Sequence, residues 1–302
     1  MSEARFAVFL VLPTLAAIFV VVLFPLAYSL WLSFTDVNLL RTTGPALELF
    51  GVRVPLFRWI GLRNYLRIFE DPLYWSSLWR TLYFVGAFVL EATVIGMGMA
   101  LVLHERFRGR PLMRSLLLIP WSLSRVVVGL LWIGILDFEF GMLNGVLARV
   151  GLIEGYISFL RDGFTALNVL VSVYMWNQAP FATLLFLAGM QSISMDLYSA
   201  AEVDGAGYWQ RFRYVTLPSL KPQTVLVVTL STINAFQIFI EPYVMTGGGP
   251  LRRTLTVVLY MYRQAFSYQK MGYAATIGLA LAVIIAVVLA VQRRLLGKAE
   301  ES

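Results

Sequence analysis

The stretch YSAAEVDGAGYWQRF, Tyr198 to Phe212, sets two acids, an arginine and two glycines in the middle of a very apolar chain. Its first half reads as one short helix. Asp196 suits an N-cap, Leu197 to Asp204 are mostly good helix formers, and Gly205 can supply a left-handed C-terminal stop. A second short helix is expected through Tyr208, Trp209 and Phe212, with Pro218 and Pro222 barring its continuation. Eight helical residues reach only about 12 Å, and so short a helix is marginal alone in water. Either the flanking segments hold it, or it docks into a partner.

What flanks this island decides the fold class. The chain of 302 residues is 59% hydrophobic and 14% charged, with a mean hydropathy of +0.75. This is the composition of a polytopic membrane protein. Phe6–Thr35, Phe164–Met195, Pro222–Ile240 and Met271–Gln292 carry no charge. Each is near or beyond the roughly 20 residues that cross a bilayer as a helix. Leu78–Leu103 and Leu112–Leu136 are as long and include charged residues. The expectation is an all-α, single transmembrane domain over 1–302 with spans at 6–34, 78–103, 112–136, 164–191, 222–242 and 271–294. Between spans four and five lies a polar loop at 196–214. The first span is too long for a signal-peptide core and lacks a clear small-x-small cleavage site, so it is expected to stay as an anchor.

Between the first two spans, GLRNYLRIFEDPLYW places Leu62, Tyr65, Leu66 and Phe69 at helical spacing with arginines between them. A short interfacial helix over 60–70 is expected there, ended by Asp71-Pro72. Ala92, Gly96 and Ala100, four apart, give the second span a smooth packing face. Pro120, followed by Trp121-Ser122, is expected to kink or break the third span. The net charge of +7 comes from basic residues in loops, a membrane-interface pattern rather than a nucleic-acid one. HERFRGRPLMR packs Arg106, Arg108, Arg110 and Arg114 into one short loop, which argues for the cytoplasm and, with an even span count, for both termini on that side.

Apart from arginines close to the span ends, Glu91, Arg125 and Glu241 are the ionisable residues singled out within the spans, and a charge in lipid needs a partner or water. Two readings stay open for Arg125: an ion pair with Glu91 at similar depth, or hydrogen bonds donated to a ligand in a hydrophilic path. No catalytic constellation is present. His104 starts HERFR rather than HExxH, and MTGGGPLRR lacks the Gly-Lys-Ser/Thr ending of a phosphate loop, so a turn is expected there. Cysteine is absent, which removes disulfides and thiolate metal sites, and no metal site is expected.

YSAAEVDGAGYWQRFRYVTLPSLKP resembles the E-A-A-x-x-D-G-A loop and following T-L-P-x-L-x-P of permease subunits in binding-protein-dependent ABC importers. NAFQIFIEPYVMTGGGPLRRT, YRQAFSYQKMGYAA and LPTLAAIFVVVLFPLAYSLWLSFTD with GLRNYLRIFEDPLYW resemble the maltose-type sugar permeases in particular. The likeness runs from about Leu12 to the end of the sixth span.

The resemblance implies that the 196–214 loop is the coupling helix, seated on a cytoplasmic ATPase subunit. Ala200, Ala201, Asp204, Gly205 and Ala206 match its motif. Ser199 stands where the family usually has glutamate, and Glu202 is the nearby acid. The family's sugar-facing positions fall here on Trp121, Arg125, Asn177, Gln178, Phe181, Ser231, Asn234 and Gln237. Amides, hydroxyls and aromatic faces are what sugars bind, yet Trp121 and Phe181 as packing aromatics and Asn234 and Gln237 as helix-holding amides remain the alternative. A prokaryotic inner-membrane importer subunit for a disaccharide or other oligosaccharide is implied. Its partners would be a second homologous permease, two ATPase subunits carrying ATP and Mg, an external sugar-binding protein and membrane lipid. No cofactor in this chain and no nucleic acid are expected. Glycerol phosphate or polyols are alternative cargoes, and a stand-alone secondary transporter is the rival class; that rival leaves the polar island unexplained, and no paired half-repeat of broken helices is evident.

Overall fold

The computed structural model describes residues 3–39, 46–49, 52–55 and 58–297. They form two compact units, one from residues 1–75 with 260–284 and one from 76–259 with 285–302.

The first unit opens on α1 (Glu3–Ile18) and α2 (Phe24–Ser33), joined by a π-helical turn at Phe19–Leu23. Pro25 supplies no N–H to the preceding turn, and a wider turn accommodates that. All side chains from Val11 to Tyr28 are exposed, as a helix facing lipid or another chain requires. A small antiparallel hairpin, β1 (Ala46–Leu49) with β2 (Val52–Pro55), pairs Leu47 with Val54 and Leu49 with Val52. It is an element the sequence reading did not anticipate in a chain that is otherwise helical, as expected. ALELFGVRVP alternates apolar and polar residues about Gly51, a period-two signal masked by the surrounding hydropathy.

α3 (Arg63–Phe69) follows, and α4 (Pro72–His104) starts at the expected proline. Buried Asn64 donates both amide hydrogens, to the Ser33 and Thr35 carbonyls at 2.9 Å each, and so satisfies orphan acceptors where α2 ends. Asp71 caps α4: its Oδ1 accepts from the Leu73 and Tyr74 amides, while its Oδ2 accepts from the hydroxyls of Tyr260 (2.5 Å) and Tyr273 (2.6 Å). Burial pushes this carboxyl up, but those hydrogen bonds outweigh it and hold it below the usual carboxylate range. The stability that the charged form contributes is present above the ordinary carboxylate pKa and is lost only as pH falls through the lowered one.

In the second unit the helices are α5 (Arg110–Ser122), α6 (Arg125–Ile135), α7 (Met142–Arg149), α8 (Gly163–Gln191), α9 (Met195–Val203), α10 (Tyr208–Arg211), α11 (Leu217–Ser219) and α12 (Lys221–Phe236). α13 (Val257–Tyr262) and α14 (Met271–Gly297) complete the chain. Asp162 caps α8 by accepting from the Thr165 amide. α8 is the central element, with Leu170, Val171, Tyr174 and Phe186 no more than 1% exposed, and α5, α6 and α12 pack against it. Arg110 and Arg114 from the arginine-rich loop turn back and donate to the Leu103 carbonyl near the end of α4.

Among the described residues, four helices are long and apolar enough to cross a membrane, or five if α5 and α6, bent by 98°, count as one span. The expected span over 222–242 is not one continuous helix. α12 ends at Phe236, and a π-helical turn resumes at Pro242–Thr246, the proline again removing a backbone donor. Small residues set the helix approaches. A Cβ on Gly96 would lie 2.7 Å from the Ala182 Cβ, and one on Gly189 2.4 Å from the Gln223 side chain. Gly96→Val should therefore force α4 off α8 at a cost of about 1–3 kcal/mol, read as a lowered melting temperature, with Gly98→Val as the tolerated control. A Cβ on Gly98 meets nothing within 4 Å.

Candidate functional site

Two places in the second unit carry polar chemistry. The first is the helix break. α5 stops at Ser122, Leu123 and Ser124 are extended, and α6 starts at Arg125. The bend falls after Pro120 rather than at it, and from the backbone the Pro120 carbonyl receives the long capping bond of the Leu123 amide at 3.3 Å, which leaves room for a second, shorter donor. Buried Asn177 supplies the donor, its Nδ2 lying 2.6 Å from that oxygen, and Gln178 Nε2 donates to Asn177 Oδ1 at 2.8 Å.

Arg125 does not pair with Glu91. Its Nε and Nη2 donate to Glu241 Oε1 (2.9 Å) and Oε2 (2.6 Å), a bidentate fork on a carboxylate that is 0% exposed. The guanidinium also lies 4.8 Å from the Tyr174 ring centroid, and that ring packs on Phe84 and Phe88. The Arg125 side chain is 27% exposed, so donors not used on Glu241 remain accessible. Three in-span charges of two signs announced a pair, but spacing along the chain could not choose between the two glutamates. Glu91 instead lines a separate cavity of 450 Å³ with Met175, Trp176 and Pro180.

The other expected ligand positions divide by exposure. Trp121, Asn234 and Gln237 are exposed, the last two one turn apart at the end of α12. Gln178 and Phe181 are half-buried, and Ser231, like Asn177, is buried. Asn177 is spent on the helix break, a use that only the tertiary structure reveals.

The second place is the polar loop. Ser194, not Asp196, is the N-cap of α9: its Oγ accepts from the Asp196 amide, and Asp196 sits in the first turn where an acid favours the helix dipole. At the other end the Ala206 amide donates to the Ala201 carbonyl (2.8 Å) and the Gly205 amide to Glu202 (3.0 Å), with Gly205 at φ +76. That is a Schellman stop, and it needs the left-handed residue. α10 runs into a π-helical turn at Phe212–Thr216 and then α11, so Pro218 sits near the start of α11 rather than ending the helical path. Glu202 pairs with Arg211, and the Tyr198 hydroxyl meets Thr216 Oγ1 at 2.9 Å. These contacts tie α9 to the following turns. Ser199 Oγ donates to the Met195 carbonyl. No residue of α9 is buried, while Met195, Val203, Tyr208, Trp209 and Tyr214 stand 65–89% exposed.

Within the second unit, apolar helices pack around a broken span and a self-capped polar loop follows α8. A solved bacterial ABC transporter involved in import of the acidic polysaccharide alginate has a chain of the same fold, with a TM-score of 0.80 at 20% identity over 97% of this chain and 96% of that one. Residues 92–299 match the family described as binding-protein-dependent transport system inner membrane component, and the chain belongs to that family. It is 33% identical to the sulfoquinovosyl glycerol transport system permease protein of Agrobacterium fabrum, covering 98% of this chain and 92% of that protein. It is 34% identical to the trehalose/maltose transport system permease protein of Thermococcus litoralis, covering 89% and 85%.

Proposed function

We propose that this chain is one of two permease subunits of an ATP-driven sugar importer and that α9 with the turns after it, within 196–214, is where a cytoplasmic ATPase attaches. The observation that carries the coupling reading is a helix capped at both ends that buries none of its own residues and offers Met195 and Val203 outward. Ala200, Ala201, Asp204, Gly205 and Ala206 form its motif, and Glu202, held by Arg211, is the acid three residues after Ser199. The chain would cross the inner membrane six times with both termini cytoplasmic, α12 and the turn at Pro242–Thr246 together making the fifth crossing. A second homologous permease, two ATPases holding ATP and Mg, and an external sugar-binding protein complete the assembly.

The cargo reading rests on charge as well as on relatives whose names specify sugars or a sugar conjugate. Glu241 neutralises Arg125, so the helix break offers hydrogen-bond donors without net charge, together with Trp121, Gln178, Phe181, Asn234 and Gln237. That chemistry suits an uncharged hydroxylated ligand better than glycerol phosphate. Ser231 and Asn177 would act by shaping the site. Gentle detergent purification from the native cell, followed by identification of what copurifies, tests the assembly. A second permease and a chain carrying a Walker motif are expected, and a lone chain with full transport activity would overturn the proposal.

A further inference from the structure

In the second unit α4 ends at His104 and α5 begins at Arg110, and the arginines around the turn between them crowd together. Arg110 and Arg114 stand one turn apart on α5 and reach the same oxygen. Arg110 Nε donates to the Leu103 carbonyl at 2.7 Å and Arg114 Nη2 at 3.3 Å. Two guanidiniums are thereby gathered on one neutral acceptor, where like charges repel. The helix ends do not offset them. The last turn of α4 offers about half a negative charge, but α5, capped by Gly109, brings about half a positive charge to the same turn. Arg106 and Arg108 are exposed within the turn, and Glu105 is the one acid over 104–114. Among the described residues neither the four arginines nor Glu105 form an ion pair, so the cluster keeps a net positive charge. Arg114 Nε and His104 Nδ1 are buried there without a hydrogen-bond partner. A buried, charged donor left unused is unfavourable until an acceptor arrives.

The depth of the cluster follows from α4, a helix long and apolar enough to cross a membrane. Its end at His104 puts the arginines that follow at headgroup height, whichever side the turn faces. Val102 on α4 and Leu112, Met113 and Leu116 on α5 flank the turn in sequence and are 48–64% exposed. Basic side chains beside exposed apolar ones match the boundary between phosphate and acyl chain in a leaflet. A carboxylate from another protein would satisfy the arginines and leave those apolar side chains uncovered, whereas a lipid covers both.

We propose that the α4–α5 turn binds the phosphate of an anionic phospholipid. Arg110 and Arg114 hold the phosphate oxygens, Arg106 and Arg108 add attraction, and the acyl chains lie along the exposed apolar side chains of the two helices. A zwitterionic lipid presents the same phosphate together with an ammonium group that the remaining positive charge repels, so the site selects lipids of net negative charge. The inference rests on α4 crossing the membrane and is independent of the cargo and of where an ATPase attaches.

The test uses the complete transporter, purified in mild detergent and exposed to mixed vesicles of phosphatidylglycerol and phosphatidylcholine. Retained lipid is counted by native mass spectrometry, with the melting transition followed in parallel. Wild type should retain phosphatidylglycerol preferentially, and Arg110→Gln with Arg114→Gln should lower that preference about 25-fold, about five-fold for each cation. Arg106→Gln with Arg108→Gln changes only exposed side chains, so it folds even where the first pair does not, and should lower the preference about five-fold. Arg110→Lys with Arg114→Lys keeps the charge and should retain most of the preference, and Arg149→Gln on α7 should change nothing. Absence of preference in the wild type, or a preference untouched by the glutamine pairs in folded protein, overturns the proposal. Displacement of the lipid by equimolar inorganic phosphate would overturn it by assigning the cluster to a soluble anion. Unchanged lipid retention with a weakened hold on a copurifying subunit would overturn it by assigning the cluster to protein docking.

Discussion

Glu241→Ala is expected to cost about 3–5 kcal/mol, because it leaves the Arg125 guanidinium without its counter-ion in a low-dielectric part of the fold. The carboxylate is 0% exposed and receives two charge-assisted bonds. The expected readout is loss of monodisperse protein after extraction and a melting transition that falls sharply. Arg125→Met combined with Glu241→Leu removes both charges and should recover most of the folded yield, since a buried ion pair and an apolar pair of similar volume are often near equal in stability. The double variant also separates structure from transport. Folded protein that no longer moves sugar supports a ligand role for the unused donors of Arg125; folded protein with normal KM and kcat rules that role out. If Glu241→Ala itself folds and melts like the wild type, the pair contributes nothing to stability and the assignment fails.

Gly205→Pro should leave insertion and melting nearly unchanged and abolish coupling. Gly205 sits at φ +76 and its amide donates to the Glu202 carbonyl. Proline is locked near φ −65 and has no N–H, so both halves of the stop are lost, a penalty of about 3 kcal/mol and roughly a hundred-fold in the population of the docking conformation. The rest of the molecule is spared because α9 buries none of its residues. Sugar-stimulated ATP hydrolysis by the assembled importer is the measurement, with Gly205→Ala expected between the two at about 1–2 kcal/mol of left-handed strain. Normal stimulation in the proline variant would place the ATPase contact elsewhere on the chain.

The readable features were those fixed by local chemistry. Gly205 as a left-handed stop follows from the absence of a Cβ, and Asp71-Pro72 as a helix boundary follows from a short acceptor beside a residue without N–H. Ala92 and Ala100, 1% and 0% exposed on either side of Gly96, were legible as a packing face because small residues at every fourth position can serve little else in a long apolar helix. The cap of α9 was misread as Asp196 because Ser194 and Asp196 have equally good acceptor side chains two residues apart. Only the direction in which the chain leaves α8 selects Ser194. The β-hairpin was missed because hydropathy averaged over a span-length window erases a period of two.

By itself the sequence determined an apolar helical membrane chain, a break close to Pro120, and a polar island with a glycine stop, all consequences of composition and backbone chemistry within a few residues. The tertiary structure alone decided which carboxylate meets Arg125, that Asn177 is committed to the Pro120 carbonyl, and that Asp71 gathers the hydroxyls of Tyr260 and Tyr273. Those pairs are separated by 116, 57, 189 and 202 residues. At such distances periodicity carries no information, and the partner is chosen by which helices pack closely enough to share a buried charge.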